Sequence, residues 1–168
     1  MATVTLKGKP VELSGQVPAI GAQAPAFDLV ANNMESVRLS DSDGKIRVLS
    51  VVPSVDTSVC SLQTVRFNRE FAAMPDSVIG YTISVDTPFA QTRYCGTEGI
   101  EKMQLLSDYK GNTFGHDWGL YIQDMGALAR AVFIVDKDGV IAYEQIVPEI
   151  SQEPDYDAVL AKVKELAG

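Results

Sequence analysis

The sequence predicts an α/β sandwich, a central mixed sheet flanked by helices and preceded by an N-terminal β-hairpin. Three observations predict it. Ile46 to Val52 is a nearly continuous apolar, β-branched run broken only by Arg47 near its start and Ser50, which is how a strand buried on both faces reads. From Val59 the pattern changes to helical spacing, with Phe67, Phe71 and Met74 at +4 and +3 steps until Pro75. Strand-like and helix-like segments then alternate and end in a hairpin, the order expected of layered α/β proteins.

The elements follow in chain order. Thr3–Leu6 and Pro10–Leu13 flank the turn Lys7-Gly8-Lys9 as the opening hairpin. Pro18, Gly21 and Pro25 break the chain before Phe27-Asp28-Leu29-Val30, and Ser36 to Leu39 forms a short strand closed by the turn cluster Ser40 to Gly44; both read as surface hairpin elements. After the central strand and the helix ending at Pro75, Ser77 to Val85 reads as a second buried strand. Pro88 to Gly96 is a turn or short helix, and Met103 to Leu106 a strand. Gly111 to Gly126 is a glycine-bearing connection holding the only tryptophan, Trp118. Ala131–Val135 and Val140–Ile146, joined by Asp136-Lys137-Asp138-Gly139, form a hairpin at the antiparallel edge. Tyr156, Val159, Leu160, Val163 and Leu166 make one apolar stripe of a final helix, with Lys162 and Lys164 on the solvated side.

The chain has 168 residues, 46% of them hydrophobic and 21% charged, which fits residues 1–168 as one domain with a real core. A formal charge of −8 disfavours nucleic acid and anionic membranes as partners, since both select clustered Lys and Arg. No stretch approaches the roughly 20 apolar residues of a membrane span, and Met1 to Pro10 lacks a cationic start followed by an apolar run, so a cytoplasmic location is expected. Cys60 and Cys95 are too few for a disulfide scaffold. With His116 the only histidine and no CxxC spacing, a protein-built metal site is not expected.

Chemistry concentrates where the central strand meets the helix. In Pro53-Ser54-Val55-Asp56-Thr57-Ser58-Val59-Cys60 the sulfur falls in the first helical turn, where free backbone N–H groups and the positive end of the dipole favour a thiolate. Residue type alone favours Cys60 as an inert buried hydrophobe; its context reverses that. Thr57 is placed to cap the helix, and its hydroxyl is also within reach of the sulfur.

PxxxTxxC at a strand-to-helix junction resembles the peroxiredoxin active-site motif, with Pro53, Thr57 and Cys60 in its three positions. The longer PSVDTSVC resembles the thiol peroxidase subfamily. So do Pro88-Phe89-Ala90-Gln91-Thr92-Arg93-Tyr94-Cys95-Gly96, similar to a resolving-cysteine segment, Leu128-Ala129-Arg130-Ala131-Val132-Phe133-Ile134-Val135-Asp136, and Glu153-Pro154-Asp155-Tyr156. The similarity spans essentially the whole chain. One departure is Tyr94, where phenylalanine is common.

The resemblance implies a thioredoxin-like fold and a peroxidase with Cys60 as the peroxidatic cysteine, shielded by Pro53, while Thr57 and Arg130 align the peroxide. For Arg130, residue type alone favours a solvated strand-end side chain. A guanidinium at that point would nevertheless stabilise a thiolate and the departing oxygen. Cys95 has three readings: packing, a structural disulfide, or a resolver that attacks a Cys60 sulfenic acid. The resemblance selects the third, a Cys60–Cys95 disulfide, and a cytosolic disulfide is more often catalytic than structural. It further implies thioredoxin as the electron donor, a homodimer, and a preference for lipid or alkyl hydroperoxides. Arg66, Gln91, Arg93, His116 and Trp118 are assigned no role. The rival reading, a redox sensor using the same cysteine pair without turnover, has no need of Thr57 and Arg130 to stabilise a leaving oxygen. A dithiol oxidoreductase is disfavoured by the absence of CxxC.

Overall fold

The computed structural model describes residues 3–168. The opening hairpin pairs β1 (Thr3–Leu6) with β2 (Lys9–Glu12). A seven-stranded sheet contains β3 (Asp28–Ala31), β4 (Ser36–Arg38), β5 (Ile46–Val51), β6 (Val78–Ser84), β7 (Met103–Ser107), β10 (Ala131–Val135) and β11 (Ile141–Ile146), in the spatial order β11-β10-β5-β6-β7-β3-β4. The short pair β8 (Tyr121–Ile122) and β9 (Ala127–Leu128) stands apart from it. β5, β6 and β7 run parallel, and β10 and β3 flank them antiparallel. The β3–β4 hairpin is therefore not a surface ornament as its sequence suggests: β3 extends the main sheet through Val30 and Ala31 against β7.

Helices α1 (Ser58–Phe71), α2 (Pro88–Glu98) and α4 (Tyr156–Ala167) cover one face of the sheet. Alternation along β5 and β10 explains the two cores. Ile46, Val48, Val132 and Ile134 meet Phe67, Phe71, Val159 and Val163 of the helices, whereas Leu49, Val51, Phe133 and Val135 join the opposite core with Phe27, Phe114 and Trp118. α1 sits close on β6 because residue 80 is glycine; a Cβ there would run into the Met103 side chain and the Phe71 ring.

Two helices differ from their sequence-based bounds. α1 ends at Phe71 rather than at Pro75, since the residue before a proline avoids helical backbone and proline offers no N–H. The chain tightens through Met74 N to Phe71 O at 3.1 Å, and Met74 packs on the core from outside the helix. α2 is an 11-residue helix rather than a turn. Thr87 caps it, Pro88 opens it with a preset φ, and Gly99 closes it at φ 67°, a left-handed position suited to glycine. The Gly111–Gly126 connection contains a one-turn helix, α3 (Thr113–Asp117), and strand β8.

Candidate active site

β5 gives way to a buried Pro53, which cannot extend a strand ladder, and the chain loops over the carboxyl end of the sheet before α1 begins. Asp86, just beyond β6, fixes that loop: its carboxylate accepts from Ser54 Oγ at 2.8 Å, Val55 N at 2.8 Å and Ser84 Oγ at 2.7 Å. The exposed Thr57 then caps α1, Oγ1 accepting from Cys60 N at 3.3 Å while donating to the Ser54 carbonyl at 3.3 Å. Cys60 is the third residue of the helix and fully buried, so its sulfur sits at the positive end of the helix dipole out of bulk water.

The sulfur accepts a hydrogen bond from Arg130 Nη2 at 3.2 Å. Arg130 precedes β10 and is only 2% exposed, which overturns the solvated side chain its residue type favours. Its Nε donates to the Ile150 carbonyl at 2.8 Å and its Nη1 to Gln63 Oε1 at 2.9 Å, and Gln63 in turn donates to Ser50 Oγ at 2.8 Å. Those partners are a carbonyl, an amide and a thiol. A buried guanidinium held by neutral acceptors has its charge left for whatever anion forms at the sulfur, and in a low-dielectric site that interaction is strong.

Cys95 occupies a different setting. It lies half-buried near the end of α2, with Asn32 Nδ2 donating to its sulfur at 3.6 Å. Burial pushes its thiol above the ordinary value, an effect the Asn32 contact partly offsets. Both cysteines are free thiols. Arg130, which holds Cys60, adjoins β10, and Asn32, which holds Cys95, follows β3; those strands are four positions apart in the sheet order. At about 4.8 Å per strand that separation is roughly 19 Å. Between α1 and α2 opens a cleft of about 450 Å³ with Thr57, Ser61, Arg93 and Tyr94 on its walls; the fully buried Cys60 does not line it.

Pro53, Thr57, Cys60 and Arg130 are thus gathered at one end of the sheet, and Cys95 is not in contact with them. Of the residues left without a role, Arg93 pairs on the surface with Asp56 at 3.4 Å, and Gln91 is a buried tie from α2 to Ser84 and the Leu106 carbonyl. Arg66 pairs with Glu70 at 3.0 Å and covers the Tyr156 ring at 4.8 Å. Trp118 belongs to the core on the opposite face of the sheet. Sequence reasoning missed Gln63, Asp86 and Asn32. Ser50, the lone hydroxyl inside an apolar strand, was the available signal for a polar partner facing α1.

The Redoxin family matches residues 19–160 of the chain. The chain is 45% identical over 166 residues to the thiol peroxidase of Bacillus subtilis (strain 168), covering 99% of both proteins. It is 45% identical to that of Streptococcus pneumoniae (strain ATCC BAA-255 / R6) across 97% of this chain and 99% of the relative. Among solved structures, the peroxiredoxin-like protein from Aquifex aeolicus superposes with a TM-score of 0.93 at 40% identity, covering 99% of this chain and 98% of the other. A mixed sheet with helices on both faces, in this company, is the thioredoxin-like fold. The chain belongs to the Redoxin family and, on identity along nearly its whole length, to the thiol peroxidases within it.

Proposed function

We propose that this thiol peroxidase reduces hydrogen peroxide and organic hydroperoxides through Cys60, with Cys95 as resolver and a thioredoxin dithiol as reductant. The observation that carries the reading is Arg130 Nη2 at 3.2 Å from the Cys60 sulfur, in a buried guanidinium whose other partners among the described residues are a carbonyl and an amide. A hydroperoxide approaches past Thr57 at the start of α1, and the Cys60 thiolate attacks its terminal oxygen. The O–O bond breaks, the leaving oxygen takes a proton as water or alcohol, and Cys60 is left as a sulfenic acid. Arg130 and the Thr57 hydroxyl stabilise the charge that develops on the leaving oxygen, and the buried Pro53 shields the sulfur from water. Cys95 then displaces hydroxide from the sulfenic sulfur, giving a Cys60–Cys95 disulfide and water, and a dithiol donor reduces it through a mixed disulfide.

The cycle needs no bound cofactor and suits the cytoplasm, where dithiol systems keep both cysteines reduced. We place the 168 residues as one working domain and the active assembly as a homodimer, on the family likeness. Reduced protein given one equivalent of hydroperoxide is expected to yield the Cys60–Cys95 disulfide by peptide mass mapping. Cys60→Ser abolishes peroxide consumption. Cys95→Ser keeps the first oxidation, accumulates a trappable sulfenic acid that passes to sulfinic acid with excess peroxide, and loses thioredoxin-coupled turnover. Normal cycling of Cys95→Ser with thioredoxin would remove Cys95 from the mechanism.

A further inference from the structure

Two residues that no step above uses join the cysteine-bearing helices. Tyr94, immediately before Cys95, donates its hydroxyl hydrogen to the Ser61 carbonyl at 3.2 Å, and its oxygen lies 3.1 Å from the Ser61 hydroxyl, which is free to donate back. Ser61 immediately follows Cys60. The pair is reciprocal and Tyr94 is buried, so little water competes for it. Burial also holds the phenol above its ordinary range, keeping it a donor throughout the working pH range. The other polar tie between the same segments, Arg93 to Asp56, is an exposed ion pair and contributes little.

The resolving step, on the reading proposed above, cannot proceed in this conformation. A disulfide requires Cα atoms within about 7 Å, and here each sulfur is turned to its own partner, Arg130 beside β10 and Asn32 after β3, strands four positions apart in the sheet. Either the first turn of α1 or the last turns of α2 must unwind. Cα atoms of adjacent residues are about 3.8 Å apart, so moving Cys60 carries Ser61 and moving Cys95 carries Tyr94. Either route breaks the same two hydrogen bonds.

We infer that the Tyr94–Ser61 pair is a latch that holds the two cysteine segments folded and thereby sets how fast the Cys60 sulfenic acid is resolved rather than over-oxidised. Tyr94 is a positioning residue. Its hydrogen goes to the Ser61 carbonyl and not to the reacting sulfur, so the peroxide step does not depend on it. While the latch is closed the sulfenic acid waits, exposed to a second peroxide. When it opens, the Cys95 sulfur forms the S–S bond, the S–O bond breaks, and hydroxide leaves as water with the thiol proton.

The test is Tyr94→Phe, which keeps the ring in the core and deletes only the hydroxyl. Reduced protein is mixed with one equivalent of hydrogen peroxide, quenched with an alkylating reagent at intervals, and mapped by mass spectrometry. Loss of a hydrogen-bonded tie of ordinary strength should speed disulfide formation roughly three- to tenfold. The sulfinic acid formed per turnover should fall by a similar factor, and the second-order rate of Cys60 oxidation should stay within about twofold. Ser61→Ala should give a smaller acceleration, because the carbonyl remains, and none on top of Tyr94→Phe, because both act on one contact. A merely structural hydroxyl would lower thermal stability without separating the two rates. Unchanged or slower resolution in Tyr94→Phe, with the disulfide still mapped, overturns the latch. Absence of the Cys60–Cys95 disulfide in the unaltered protein overturns the resolver reading and the latch with it.

Discussion

The two cysteines share a chain, a face of the sheet and a helical setting, yet their surroundings are opposite in kind. Cys60 is fully enclosed at a helix start, and its sulfur is met by a guanidinium that a carbonyl and an amide hold from behind. Cys95 is half-buried toward a helix end, and its sulfur is met by one long amide contact of 3.6 Å. A group that must be ionised and aimed before the substrate arrives is built on rigid elements with every donor anchored. A group that must travel is held by contacts it can give up. The predictions here break that contrast by loosening the first site, or sharpen it by exposing the protonation of the second.

The largest effect belongs to Arg130→Met. Methionine fills much of the aliphatic volume but returns no charge to the sulfur, and removing one donor to developing negative charge typically lowers rates about 10²–10³-fold. The second-order rate of Cys60 oxidation should drop by that order, and alkylation of Cys60 by iodoacetamide at a fixed neutral pH should slow. Near-native oxidation with an unchanged alkylation rate would show that the 3.2 Å contact is packing and not chemistry.

Next in size is a pH effect confined to the second cysteine. Burial raises the Cys95 thiol above its ordinary value, so around neutrality it is mostly protonated, and the thiolate that attacks the sulfenic acid is the minor form. Its fraction grows with pH. The sign is the same if the helix unwinds first, since an unperturbed cysteine thiol still titrates at about 8.5. Disulfide formation should therefore accelerate by up to about tenfold per pH unit between pH 6.5 and 8. Sulfinic acid per turnover should fall correspondingly, and the peroxide step should change far less. Quenched-flow alkylation at several pH values separates the two, and a flat resolving rate would mean that opening of the helices, not deprotonation, limits the step.

What the sequence could and could not disclose follows the same division. The strand-to-helix junction was legible because β-branched burial, Pro53 and the Thr57 cap are local signals, and Cys60 was placed by them alone. Arg130 was identified by resemblance, but its burial was not legible: it depends on Gln63, 67 residues earlier on α1, and on the Ile150 carbonyl, 20 residues further along the sequence. Asp86 was missed for a related reason. A carboxylate beside Thr87 and Pro88 reads as turn chemistry, and only the parallel pairing of β5 with β6 puts it under the Ser54–Val55 loop. Helix bounds failed where apolar spacing outran backbone preference, at Met74, and where a Pro-to-Gly frame was longer than it looked, in α2.

The smallest effect, and the one that separates aim from charge, lies at Gln63. Its amide is oriented at both ends, donating to Ser50 Oγ at 2.8 Å and accepting from Arg130 Nη1 at 2.9 Å, inside a fully buried environment. In Gln63→Leu the volume is nearly kept, but Arg130 Nη1 and Ser50 lose their partner. Leaving buried polar groups unpaired costs about 1–3 kcal/mol of stability, readable as a lower melting temperature. The guanidinium keeps its bonds to Ile150 and Cys60 but loses the brace that fixes its plane. Cys60 oxidation should then slow roughly three- to tenfold, well short of the loss in Arg130→Met. Gln63→Glu tests the complementary point. A carboxylate would accept from the same nitrogen, so the brace survives, but it would also claim the guanidinium's charge and repel the thiolate. That variant should oxidise more slowly than the parent and slow alkylation of Cys60 at a fixed neutral pH, which Gln63→Leu should change little. If Leu lowers the melting temperature while both variants keep the parent oxidation and alkylation rates, Gln63 supports the fold alone, and the contrast between a braced and an unbraced cysteine loses its kinetic meaning.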